Sequence, residues 1–260
     1  MKIKEIIDAL ERFAPLPLQD GFDNAGLQTG LTGAEATGAL LCLDVTEDVV
    51  DEAITLGMNL VVAHHPLLFH GLKSLTGRDY VERCLMKAVK NDIVVYAAHT
   101  NLDNAPGGVN FKMAEKMGLT DVRFLDPRTD GQEGGSGVIG VLPEAETETN
   151  FLRGIKKTFE AQCVKHNRLR GREIRTVALC GGAGSFLIPQ AVRQGADAFV
   201  TGEIKYHEFF GHDEDILLAA LGHYESEQYT KEIFETFIRE QFPVLDVRQA
   251  KVNTNPIKYM

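Results

Sequence analysis

Histidines and acids close four apolar runs of this chain. His64-His65 ends Leu60-Val61-Val62-Ala63, and His99 to Asp103 follows Ile93-Val94-Val95-Tyr96-Ala97-Ala98. Gly202-Glu203 ends Ala198-Phe199-Val200-Thr201, and His223 to Glu227 follows Ile216-Leu217-Leu218-Ala219-Ala220-Leu221. Imidazole supplies a neutral nitrogen, and carboxylate supplies a charged oxygen that can bridge two cations. Gathered at strand ends, these groups predict a divalent-metal site, and a dinuclear one before a mononuclear one.

Each cluster also has a structural reading. Adjacent histidines point in different directions, so one of His64 and His65 could be a core residue. Pro66 follows at once and drives the backbone out of the strand, which suits a rigid turn presenting two donors. Asp103 lies in Asn101-Leu102-Asp103-Asn104, which on its own could be an Asx turn before Pro106-Gly107. His223 and Glu227 stand at i and i+4, on one face of a helix start, and could be a surface pair. The recurrence of donors at several strand ends favours ligands. His99 could orient Asp103 or a substrate group, and His207, four residues after Glu203, could flank the pocket. Both could equally be structural. His70, His166 and His212 receive no role. Gly181-Gly182-Ala183-Gly184-Ser185 lies between a strand and a helix. It is neither G-x-G-x-x-G nor a P-loop, so it reads as a tight turn rather than a phosphate cradle.

The elements that must position these residues occur twice. Displacing Leu41–Val62 by 138 positions lays it, without a gap, on Leu179–Val200. Leu41, Cys42, Ala53, Gly57 and Val62 then fall on Leu179, Cys180, Ala191, Gly195 and Val200, and His65 falls on Glu203. Asp92-Ile93-Val94-Val95 resembles Asp215-Ile216-Leu217-Leu218, and one residue later His-Thr-Asn-Leu-Asp (99–103) resembles His-Tyr-Glu-Ser-Glu (223–227). The periodicity predicts a helix near 2–14, strand 38–44, helix 47–56, strand 58–63, helix 79–90, strand 92–98, helix 108–117 and a strand near 121–125. The glycine-rich stretch 130–137 reads as a linker. Strand 137–142, helix 148–160, strand 174–180, helix 186–195, strand 197–201, a short helix 204–210, strand 215–221 and helix 225–240 follow. The expected class is α/β, with two related α/β/α repeats packed around a metal site at strand carboxyl ends. Residues 1–129 form the first repeat domain and 137–240 the second, and 241–260 pack back on the first.

Bulk properties suit an enzyme or binding protein. The 260 residues are 44% hydrophobic and 25% charged, with net charge −10, so no basic footprint for nucleic acid or anionic membrane exists. The first segment places Ile3, Ile6, Ile7, Leu10 and Phe13 on one helical face, with acids between, which is no signal peptide. No apolar run spans a bilayer. Cys42, Cys84, Cys163 and Cys180 form no close pair and read as reduced thiols of a cytoplasmic protein.

Several stretches together resemble one family. These are Phe22-Asp23-Asn24-Ala25-Gly26-Leu27-Gln28-Thr29-Gly30, Leu43-Asp44-Val45-Thr46, His64-His65-Pro66-Leu67-Leu68-Phe69, His99-Thr100-Asn101-Leu102-Asp103, Thr201-Gly202-Glu203 and Gly222-His223-Tyr224-Glu225-Ser226-Glu227. They resemble the Ngg-interacting-factor-three-like proteins, often named type 2 GTP cyclohydrolase I homologues, over nearly the whole chain. Phe22 stands where that family usually carries tryptophan. The chain resembles the short form, without the extra mid-chain domain of some relatives.

The resemblance implies a toroidal homohexamer with two divalent ions per subunit, zinc, iron or manganese. The implied ligands are His64, His65, Asp103, His223 and Glu227. Glu227 would bridge, His65 and Asp103 would complete one ion, and His64 and His223 the other. Five ligands for two ions leave positions open to water, which is hydrolase chemistry. For a GTP cyclohydrolase reaction the water would attack the purine C8 carbon, with Glu203, His99 or His207 moving protons. The partners expected are the chain itself and a nucleotide or other phosphorylated small molecule, with no nucleic acid or membrane. The other class open to the same site is a non-catalytic metal-binding, storage or regulatory protein.

Overall fold

The computed structural model describes residues 1–260 and divides into two compact units, Met1–Ala105 with Thr230–Lys258, and Pro106–Tyr229 with Tyr259–Met260. The first unit contains α1 (Ile3–Phe13), β1 (Gly26–Thr29), β2 (Ala39–Cys42), α2 (Glu47–Leu56), β3 (Leu60–Ala63), α3 (Tyr80–Lys90), β4 (Val94–Ala97) and α4 (Thr100–Asp103). The second contains α5 (Val109–Lys116), β5 (Thr120–Pro127), β6 (Gly135–Thr147), α6 (Glu148–Thr158), β7 (Lys165–His166), β8 (Glu173–Cys180), α7 (Ile188–Arg193), β9 (Ala198–Thr201), β10 (Leu217–Ala220) and α8 (His223–Glu227). The chain then returns to the first unit with α9 (Thr230–Gln241) and β11 (Val247–Gln249).

The first sheet has the order β1-β4-β3-β2-β11, with β11, β2, β3 and β4 parallel and β1 antiparallel at one edge. Its central strands are buried at every position, as their unbroken apolar runs require of parallel strands covered on both faces. Leu40, Cys42, Val61, Ala63 and Val95 share one face with α2 and α3 side chains such as Val49, Ala53, Cys84 and Ala88. Thr46 caps α2 by accepting from Val49 N at 3.3 Å, and Gly57 ends it in the left-handed region at φ 66°.

The second sheet has the order β5-β6-β8-β9-β10-β7. Its parallel core β8-β9-β10 alternates by the two-residue period of a strand. Leu179, Val200, Leu217 and Ala219 pack with Phe151, Ile155 and Phe159, while Ala178, Cys180, Phe199 and Leu218 pack with Leu187, Ile188 and Ala191.

The duplication shows in the strand register. Leu41 pairs with Val62 across β2 and β3, and Leu179 pairs with Val200 across β8 and β9, the residues that the sequence displacement equates. Gly57 and Gly195 take the same left-handed backbone, φ 66° and 72°. Val94 and Leu217 pair with the starts of the preceding strands, Leu60 and Ala198. Two residues beyond Ala63 and Thr201 come His65 and Glu203. His99 is two residues beyond Ala97 and His223 three beyond Ala220, because Gly222 is inserted at φ 114°.

Some expected bounds differ. Helix 225–240 is two helices, parted at Gln228-Tyr229, where Tyr229 Oη donates to Thr158 O at 2.9 Å and the chain leaves the second unit. The segment 204–210 is one 3-10 turn at Tyr206–Phe209. The units divide at Ala105 and Tyr229 rather than at 129 and 240, since β5 pairs with β6 and α9 packs against β2.

Candidate metal centre

In the first unit the donors stand at the ends of parallel strands. The backbone N–H of His64 donates to Cys42 O at 3.2 Å and that of His65 to Leu43 O at 2.9 Å, extending the sheet by two residues before Pro66 turns the chain away. The ligand-type atoms of His64, His65 and His99 lie within 4.8 Å of one another. His64 is fully buried, and its Nδ1 sits 2.8 Å from Ala98 O. A carbonyl only accepts, so Nδ1 carries the proton and Nε2 presents a lone pair. His65 Nδ1 lies 2.7 Å from Asp44 Oδ1, and His99 Nδ1 lies 2.7 Å from Asp23 Oδ1. Both are histidine–carboxylate dyads of the kind that orient imidazole on a metal.

These carboxylates stay ionised. Burial alone would raise the pKa of Asp23, but hydrogen bonds from His99, Thr100 and the Asn24 backbone hold it down at about 2. Burial likewise opposes Asp44, and hydrogen bonds from His65 and Thr254 hold it below the ordinary carboxylate value.

Asp103 closes the short helix α4, with its Oδ1 3.7 Å from His64 Nε2. Asn101 Nδ2 donates to Ala14 O at 2.6 Å and Asn104 Nδ2 to Leu18 O at 2.9 Å, so the asparagines pin this turn and Asp103 is aimed by it. The Phe22–Gly30 stretch serves the same end. Asp23 holds His99, while Asn24 Nδ2 donates to Leu68 O and Gln28 Oε1 accepts from Leu68 N at 3.0 Å, fixing the chain just after His64-His65.

In the second unit His223 and Glu227 lie on one face of α8, with Nε2 and Oε2 3.1 Å apart. On the other side of the ring, His223 Nδ1 is 3.1 Å from Glu203 Oε1. Glu227 is buried, whereas the Glu203 side chain is 56% exposed. Space for Glu227 comes from the glycine turn after β8, because a Cβ on Gly182 would strike Glu227 Oε1. The turn is tight, as its sequence predicts, and its close approach to the glutamate is the added reason for glycine. His207 stands apart from this group, with ring contacts to Tyr206 and Phe210 on the 3-10 turn.

The donor chemistry fits a divalent cation. Two ligands at bonds of about 2.0–2.1 Å and tetrahedral angles are about 3.3 Å apart, close to the His223–Glu227 separation of 3.1 Å and the His64–Asp103 separation of 3.7 Å. All four imidazoles place Nδ1 against an oxygen acceptor. Residue types and spacing pointed to histidine and carboxylate groups that could hold a metal ion, but the contacts of Asp44 and Thr254 had no such signal, since their hydrogen bonds span 21 and 210 residues.

A duplicated α/β protein with histidine–carboxylate donor sets at its strand carboxyl ends is the class that fold and site define. Residues 1–256 match Duf34/NIF3 (NGG1p interacting factor 3), and the chain belongs to that family. It is 33% identical over 228 residues to a GTP cyclohydrolase 1 type 2 homolog of Clostridium perfringens, covering 87% of each chain. A protein of the same name from Lactococcus lactis is 32% identical over 263 residues, covering 98% of each. A crystal structure of a Staphylococcus aureus hypothetical protein superposes with TM-score 0.92 at 30% identity, over 100% of this chain and 99% of that one.

Proposed function

We propose that the protein is a metal-dependent hydrolase whose divalent ions, two per subunit, are bound by His64, His65, Asp103, His223 and Glu227. The observation that carries this reading is the set of tied-off Nδ1 atoms, because a carbonyl or carboxylate at Nδ1 leaves Nε2 as the coordinating nitrogen of each ring. Bound ions would supply Lewis acidity and lower the pKa of water toward neutrality. The chain's own groups divide the remaining tasks. Asp44 and Asp23 hold the rings of His65 and His99 in one tautomer. Glu203, exposed and bonded to His223 Nδ1, is placed to pass a proton to or from substrate.

Relatives named GTP cyclohydrolase 1 type 2 homolog make a purine nucleotide the first substrate class to try. With net charge −10, the protein needs local cations to hold phosphate, and bound metal would provide them. The test is a turnover screen of GTP and other phosphorylated compounds with zinc, iron or manganese, run on wild type and Glu227→Ala. Turnover that disappears in the variant supports the hydrolase. Metal binding with no turnover on any substrate replaces it with a storage or regulatory role.

A further inference from the structure

The strand-end dyad Asp44–His65 has a third member far away in sequence. Asp44 has two carboxylate oxygens. Oδ1 faces His65 Nδ1 at 2.7 Å, and Oδ2 accepts from Thr254 Oγ1, also at 2.7 Å. Thr254 belongs to the segment after β11, which is held on the first unit by directional bonds. Ala250 N donates to Leu41 O at 2.8 Å, Lys251 N to Glu52 at 3.0 Å and Val252 N to Glu52 Oε2 at 3.3 Å. Glu52 is on α2, the helix that follows Asp44, so the tail is fixed to the same strand-helix unit that carries the carboxylate. The chain of contacts therefore runs from Glu52 through the backbone of 251–252 to Thr254, then to Asp44 and His65.

A carboxylate bonded through one oxygen can rotate about its Cβ–Cγ bond. Fixed at both oxygens, it has one orientation, and its partner imidazole has one too. Asp44 is one-third exposed at its side chain, so without Thr254 water would compete for the second oxygen. We infer that Thr254 is a positioning residue, through which the C-terminal segment sets the orientation of Asp44 and thereby of His65 as a metal ligand. This rests on the metal reading above, but the link from Thr254 to His65 is a property of the chain alone and is testable without metal.

The experiment uses the full chain with Thr254→Val, which keeps the side-chain shape and removes the hydroxyl, and Thr254→Ser, which keeps the hydroxyl. The first readout is the 15N–1H signal of the His65 ring in metal-free protein, assigned with His65→Gln. Thr254→Val is expected to shift or broaden it, and Thr254→Ser to leave it near its wild-type position. The second readout is zinc affinity by chelator competition. Removing a direct partner of a ligating histidine costs 10–100-fold, so Thr254→Val, one bond further out, is expected to weaken zinc about tenfold, with rescue by serine.

Glu52→Gln, which loosens the grip on residues 251–252, should move the same His65 signal should the valine variant fail to fold. An unchanged His65 signal in Thr254→Val overturns the inference, whatever happens to zinc. So does a serine variant as impaired as valine. If wild type binds no zinc, iron or manganese, the metal reading falls, while a shifted His65 signal still upholds the link.

Discussion

Glu227 and Glu203 face opposite nitrogens of His223, and their surroundings give them different tasks. Glu227 is buried, with its Oε2 3.1 Å from Nε2, the nitrogen proposed to bind metal. Glu203 meets Nδ1 and reaches solvent with more than half its side chain. Replacing Glu227 with alanine should strip metal, with affinity falling by more than the 10–100-fold that an outer partner costs. Glu203→Gln, whose amide oxygen can still accept from His223 Nδ1, should keep most of the metal affinity and slow turnover instead, by about 10²–10⁴-fold if it moves a proton. Elemental analysis beside rate measurements checks both, and loss of metal from Glu203→Gln equal to that from Glu227→Ala would erase the division. Groups of histidine and carboxylate that could hold a cation were readable from residue type, because few side chains bind cations and these recur at strand ends. Asp23, Asp44 and Thr254 were not readable as orienting groups. Their partners lie 76, 21 and 210 residues away, and only the folded chain joins them.

Turns between elements carry as much of the site as the strands do. Gly57 and Gly182 both have positive φ, 66° and 59°, so alanine strains either backbone by about 1 kcal/mol. A Cβ at Gly57 meets nothing within 4 Å, whereas at Gly182 it strikes Glu227. Gly57→Ala should thus lower the melting temperature and leave metal content alone, while Gly182→Ala should lower both. Equal metal content in the two variants would show that Glu227 does not need this turn.

The loop between His65 and α3 is tied down by Glu82, which accepts from Thr76 N at 2.8 Å, Thr76 Oγ1 at 2.9 Å, Arg78 N at 3.2 Å and Arg78 Nε at 2.7 Å. These bonds, the Thr76 backbone foremost, hold its pKa at about 2 against the burial that would raise it. A depressed pKa stabilises the fold fully above the free value of 4.5 and loses that contribution as pH falls toward 2. Glu82→Gln should therefore melt below wild type at pH 7, with the gap narrowing below pH 4.5 and closing only as pH falls to about 2. A gap constant with pH would mean the charge is irrelevant. Parallel core strands were legible as unbroken apolar runs. The edge strands β1, β7 and β11 were not, because Gly-Leu-Gln-Thr, Lys-His and Val-Arg-Gln show no periodic apolar pattern and become strands only by pairing with β4, β10 and β2.

At the scale of the molecule, several large apolar side chains are exposed on each unit. Phe22, Leu31, Phe69, Leu75 and Tyr80 are exposed on the first unit, and Phe186, Tyr206 and Phe210 on the second. Tyr206, His207 and Phe210 form a cluster of ring contacts at 5.2, 5.5 and 6.1 Å that faces solvent. Exposed apolar groups in clusters mark surfaces that another molecule covers. We propose that the covering molecule is a further copy of this chain in a closed ring, as the family resemblance implies. No helix is long and apolar enough to cross a membrane, so a spanning helix does not account for these side chains. A homohexamer of the 28.7 kDa chain would have a mass of about 172 kDa. Light scattering on the eluting protein should give that value. Charged substitutions in the cluster, Tyr206→Glu with Phe210→Glu, should lower it if this face is one of the contacts. Tyr206 and Phe210 make these ring contacts with each other and with His207, which is outside the proposed ligand set, so metal content per chain should survive the loss of assembly. A wild-type mass of 28.7 kDa at working concentration would rule out the ring and leave the aromatic cluster to another partner.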